Sequence, residues 1–170
     1  MAEVGLLAPD ARVELIEGEI IDMAPIGTNH ASVVNQLTRL LVMAVGERGI
    51  VQAQGPARLD RYSEPEPDIA VFAPRADFYR HERPSLAQTL LVIEVSDSTL
   101  RYDRDVKVPL YARHGIREVW IVDLQHNELR VYRRPQGDSY LEQKVTKVPG
   151  ITAVAALPGV AADLSGILSG

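Results

Sequence analysis

The stretch Thr89–Asp123, TLLVIEVSDSTLRYDRDVKVPLYARHGIREVWIVD, decides the fold. It opens on Leu90-Leu91-Val92-Ile93, an apolar run without polar alternation, which predicts a central strand covered on both faces. Glu94 closes that run. A lone buried carboxylate must be hydrogen-bonded, paired, metal-bound or protonated, because desolvating its charge is otherwise prohibitive. Ser96–Thr99 then turns the chain into a helix that carries Lys107, Leu110, Tyr111 and His114 and stops at Gly115. Pro109 has no N–H to offer the carbonyl of residue 105, so the helix begins near Asp105 or kinks there, with Lys107 in its first turn. Glu118–Leu124 is a second apolar strand, and strand, helix, strand implies parallel neighbours joined by a right-handed crossover. The core is therefore mixed α/β.

Upstream, Pro67-Asp68 delivers a second carboxylate to the mouth of another apolar strand, Ile69–Phe72. Residues 12–23 read as an N-terminal hairpin turning at Glu17-Gly18, with Glu14 and Glu19 as solvated edge-strand charges. Thr28–Glu47 has a helical stripe of Val33, Val34, Leu37, Leu40, Leu41, Ala44 and Val45, capped by Thr28 or Asn29 and ended by Gly46 or Gly49. His30, in its first turn, is either a terminal, solvent-touching imidazole or a site group. Ile50–Leu59 is a strand broken at Gly55-Pro56, and the prolines of Arg61–Pro67 fix an extended loop with Glu64 and Glu66 as solvated charges. Downstream, Glu128–Arg134 and Tyr140–Val145 form a C-terminal hairpin. The apolar tail after residue 150 must cover either the core or a second subunit.

At 170 residues, 46% of them hydrophobic, the chain suits a single domain over residues 1–170, without disorder or repeats. The absence of cysteine excludes disulfides and thiolate metal sites and agrees with a reducing cytoplasm. No signal peptide or membrane-spanning run is visible. A net charge of -5 argues against a passive coat for nucleic acid, yet leaves room for local basic patches such as Arg75, Arg80 and Arg83, or Arg101, Arg104 and Lys107.

Two carboxylates on neighbouring strands suit a hard divalent cation such as Mg²⁺ or Mn²⁺, and a nearby ammonium can orient water or stabilise developing charge on a phosphate. Asp68, Glu94 and Lys107 are the right types for phosphodiester hydrolysis. They are equally consistent with a buried Glu94–Lys107 structural pair. The four histidines have no metal-binding spacing, there is no glycine-rich phosphate loop, and Trp120 and Tyr111 read as core residues.

Taken in order, ELIEGEI, GTNHASVV, PDIAVF, LLVIEVSDST, DRDVKVPLYARHGIREVWIVD and LPGV resemble the Uma2 family of bacterial restriction-endonuclease-like proteins, within the PD-(D/E)xK nuclease superfamily. The resemblance implies a four-stranded mixed central sheet flanked by helices, with the two hairpins appended, and a Mg²⁺-dependent endonuclease acting on DNA rather than RNA, with Asp68 and Glu94 as metal ligands. The nuclease signature has lysine two residues after the second acid, where this chain has Ser96; Lys107 on the following helix takes that part in the Uma2 pattern. Glu19 and His30 match recurrent family positions and, with Ser96, are given supporting roles. A homodimer is expected, since cutting both strands takes two sites. The alternative is a non-catalytic binding or assembly module that keeps the fold.

Overall fold

The computed structural model describes residues 10–168. Strands β1 (Val13–Ile16) and β2 (Glu19–Asp22) form the expected antiparallel hairpin. Its two turn residues, Glu17 and Gly18, both have positive φ, the two-residue turn whose twist matches that of paired strands. Helix α1 (Thr28–Val45) buries Val33, Val34, Leu37, Leu41 and Val45 and ends at Gly46, whose φ of 54° suits glycine. Its N-cap is Gly27 rather than Thr28 or Asn29, and no side chain caps it. Gly49 is required by a close approach: a Cβ there would meet the Phe72 carbonyl and Val45 at 2.9 Å.

The central sheet comprises β3 (Ile50–Ala53), β4 (Ile69–Phe72), β5 (Thr89–Ser96), β6 (Glu118–Asp123), β7 (Glu128–Gln136) and β8 (Ser139–Thr146), in that spatial order. It is mixed: β5 and β6 are parallel, and every other adjacent pair is antiparallel. Six strands replace the expected four. All six residues of β6 are buried, so its far edge needs a partner for its backbone groups, and the C-terminal hairpin supplies one by pairing along the whole of β6 instead of standing apart. That hairpin turns at Gly137-Asp138 alone, with Pro135 and Gln136 inside β7.

Strand alternation divides the core. Leu91, Ile93 and Val95 meet α1 on one face, whereas Val92 meets the later helix on the other. The tail, with β9 (Ile151–Ala153) and β10 (Ala161–Asp163), covers the α1 side through Val154, Leu157, Val160, Ala162, Leu164 and Ile167. Most of its large apolar residues are thus used within this chain, although Ile151 remains exposed.

Glu118 joins this cover to the sheet. Fully buried, it accepts hydrogen bonds from Trp120 Nε1 (2.8 Å), Arg133 (2.9 Å) and the Ala155 amide (2.8 Å). Glu118→Ala leaves these donors without an acceptor, and we expect a loss of roughly 1–3 kcal/mol or more in urea unfolding. A change within 0.5 kcal/mol, the usual range for surface substitutions, would show that the junction is redundant.

Candidate active site

The helix after β5 begins earlier than Pro109 implies. It runs as α2 (Leu100–Tyr102), a π-helical turn (Asp103–Lys107) and α3 (Val108–Arg113). The disturbance does fall around residue 105, but as a widened turn in which the Val108 N–H reaches the Asp103 carbonyl, five residues back. Lys107 therefore ends the π turn rather than occupying a first turn. Asp103, Lys107 and Tyr111 follow at four-residue spacing, and all three are buried.

Glu94 has the same strand parity as Val92, so its side chain faces this helix. Its Oε1 lies 2.7 Å from Lys107 Nζ and accepts a 2.6 Å hydrogen bond from the Tyr111 hydroxyl. The same ammonium lies 2.7 Å from Glu14 Oε1, which also accepts the Glu66 amide at 2.8 Å. Glu14, Glu94 and Lys107 are each 3–4% exposed. One cation is shared between two buried carboxyl groups, so ionisation of both would leave one negative charge over. Burial, reinforced by the nearby acids, pushes the Glu94 carboxyl well above its usual range despite Lys107. Burial alone would lower the Lys107 ammonium, but Glu94, Glu14 and Asp103 outweigh it and hold the group firmly charged.

Asp68 immediately precedes β4. Since Ile69 pairs with Ile93, it stands opposite Glu94. Its Oδ2 accepts the Val95 amide at 2.8 Å, and its Oδ1 lies 3.1 Å from His30 Nε2. That hydrogen bond to Asp68 raises the His30 pKa above 6.5 against partial burial. Beneath the strand end, Asp103 Oδ2 accepts 2.6 Å bonds from Ser96 and Thr99.

These groups border a cavity of about 260 Å³. Of the residues expected from sequence, Asp68, Glu94, Lys107 and His30 line it. Ser96 is buried on Asp103. Glu19 is exposed and lies outside the lining, and the hairpin acid that reaches the site is Glu14. Glu66 is half-buried at the cavity wall, with its pKa raised by burial, rather than solvated. Glu14, read from sequence as a solvated edge charge, is buried; Tyr111 was read as a core residue, and Asp103 was not singled out. The last two were open to detection, being four residues either side of Lys107 on one helical face. The basic patches are weak: Arg75 pairs with Asp77 and Glu82, Arg83 with Glu64 and Arg104 with Asp105.

A family model described as "Putative restriction endonuclease", Uma2, matches residues 2–165. The chain belongs to the Uma2 family. No curated protein matches the sequence. Among solved structures, a putative nuclease belonging to DUF820 from Anabaena variabilis ATCC 29413 is similar, with a TM-score of 0.75 at 18% identity over 98% of this Uma2 chain and 95% of that one. At that identity the likeness establishes the fold.

Among the described residues of this Uma2 member, no group of three or more acidic or histidine side chains is placed to hold a metal. A fully protein-caged ion therefore does not fit. Asp68 and Glu94, opposite one another on adjacent strands, are oxygen donors of the kind used by a hard cation that keeps several of its own waters. His30 Nδ1 and the Tyr102 hydroxyl are buried without hydrogen-bond partners and belong to residues lining the cavity, so its wall retains unused polar capacity.

Proposed function

We propose that this protein is a divalent-metal-dependent endonuclease that hydrolyses DNA, with Asp68, Glu94 and Lys107 at its centre. The observation that carries the reading is the Lys107–Glu94 contact, which brings a helix-borne ammonium beside the strand acid although Ser96 occupies the signature lysine's place. Asp68 and Glu94 would hold Mg²⁺, or Mn²⁺, with the Val95 carbonyl as a further oxygen. When bound, the ion supplies Lewis-acid polarisation of a phosphoryl oxygen and a water of lowered pKa.

The chain's own residues do the rest. Lys107 has three N–H donors, two directed at Glu14 and Glu94, which leaves a third to orient the attacking water or meet developing negative charge on the phosphate. Hydrolysis forms a bond from water oxygen to phosphorus and breaks the bond to the leaving oxygen, which takes up a proton. Glu14 and Tyr111 fix the lysine and the acid so that little reorganises during the step. The lack of cysteine fits action in the cytoplasm, and cutting both strands of a duplex calls for two copies.

Purified protein is expected to cleave DNA with Mg²⁺ or Mn²⁺ and to lose that activity in EDTA. Cleavage should also weaken as pH falls through the raised His30 pKa, because the protonated ring pairs with Asp68 and competes with a cation for its oxygens. His30→Asn should flatten that limb. The linkage sign agrees: the His30–Asp68 pair stabilises the fold fully below pH 6.5 and loses that contribution as pH rises through the raised value. Absence of cleavage of DNA and RNA, together with absence of metal affinity in calorimetry, would reject the nuclease. The second reading, a non-catalytic binding module, is favoured by the occupation of Glu94 Oε1 by two donors. It would be supported by nucleic-acid binding that survives Asp68→Ala with Glu94→Ala.

A further inference from the structure

The outer edge of the central sheet is β8, eight residues long, and among the described residues no strand pairs with its free side. Leu141 and Val145 are 56% and 50% exposed on it. The opposite edge, β3, has only four residues, most of them half-buried. A long edge with exposed apolar side chains and no proline is a template for strand addition.

We propose that β8 pairs with β8 of a second copy of this chain, antiparallel about a two-fold axis at Gln143, to give a continuous twelve-stranded sheet. The surface does not depend on the nuclease reading. A two-fold axis forces antiparallel pairing of identical edges. Pro135 opposes Tyr140 and has no N–H to give it, and the Tyr140 carbonyl instead accepts the Gln143 side chain at 3.1 Å. Tyr140 therefore turns its backbone groups outward, as do Glu142 and Lys144 by strand alternation.

Charge selects the register. Centred on Gln143, the pairing sets Glu142 against the partner's Lys144, and Lys144 against the partner's Glu142, through outward-facing backbone groups. Leu141 then faces the partner's Val145. Sliding by two residues in one direction opposes Glu142 to the partner's Glu142, and in the other opposes Lys144 to the partner's Lys144. Of these three registers the central one alone is free of like-charge contact, and it alone makes two Glu142–Lys144 pairs while also joining the apolar pair. Within its own chain Glu142 makes only an exposed 3.3 Å contact with Arg134, which leaves its charge available.

Sedimentation velocity over a concentration series tests this, with far-UV circular dichroism confirming that each variant is folded. Wild-type protein should dimerise reversibly. Glu142→Lys and Lys144→Glu should each weaken association by at least about tenfold, because both symmetry-related pairs become repulsive. An equimolar mixture of the two single variants should recover association, since a chain with lysine at both positions then faces a chain with glutamate at both. Wild-type protein that stays monomeric, single variants that associate like wild type, or a mixture that does not recover would each overturn the proposal. A monomeric outcome would remove this route to cutting both strands but leave metal-dependent hydrolysis of a single strand untouched, so the two proposals fail separately.

Discussion

Lys107→Met is expected to cost roughly 3–5 kcal/mol of folding stability at neutral pH, the usual consequence of removing one partner from a buried ion pair. Methionine fills much of the same volume but leaves Glu14 and Glu94 buried with no cation between them. The deficit should shrink on acidification. Burial and the nearby acids already hold the Glu94 carboxyl above its usual range, and removing Lys107 takes away the one opposing charge, so the folded variant binds more protons and regains stability as pH falls toward about 4.5. The wild type has no comparable slope from the lysine: its raised folded pKa keeps that contribution complete below 10.5 and removes it only at higher pH. Urea unfolding at pH 5 and pH 8 checks both points. A second change, Glu14→Gln, should return part of the loss by halving the uncompensated charge, whereas a pH-independent cost would trace the effect to packing.

Glu94→Gln should separate structure from chemistry. Lys107 then faces Glu14 alone, a balanced pair, and the Tyr111 hydroxyl can still donate to the side-chain oxygen. Stability should change by less than about 1.5 kcal/mol, the ordinary worth of one hydrogen bond. Cleavage should fall by roughly 10³-fold, since loss of a carboxylate ligand removes several kcal/mol of transition-state charge stabilisation. If the variant cuts DNA at the wild-type rate, Glu94 is only the structural partner of Lys107, and the catalytic assignment fails at its central residue.

Much of the fold was legible because β4, β5 and β6 are buried on both faces and so read as unbroken apolar runs. The extent of the sheet was not: β7 and β8 alternate as a free hairpin would, and only the unsatisfied edge of β6 shows why they join it. Asp68 and Glu94 could be found at the ends of such runs. Glu14 could not, because Val13-Glu14-Leu15-Ile16 places apolar residues on both faces of a short strand, and either face could have turned inward. His30 depended on how the first turn of α1 meets the end of β5, a tertiary relation that no local pattern encodes.

The Glu14–Lys107 pair spans 93 residues of sequence and ties a hairpin outside the central sheet to a helix late in the chain. Its closure carries a large loop entropy, and the local order of β5, the helix and β6 can form before it. On the ribosome, Glu14 emerges long before its counter-ion exists, and it can be desolvated only once the α/β core is present to receive it. The hairpin contact is therefore expected to close late and to open before the sheet does, and faster hydrogen exchange at the Leu15 and Glu66 amides than along β5 would show it.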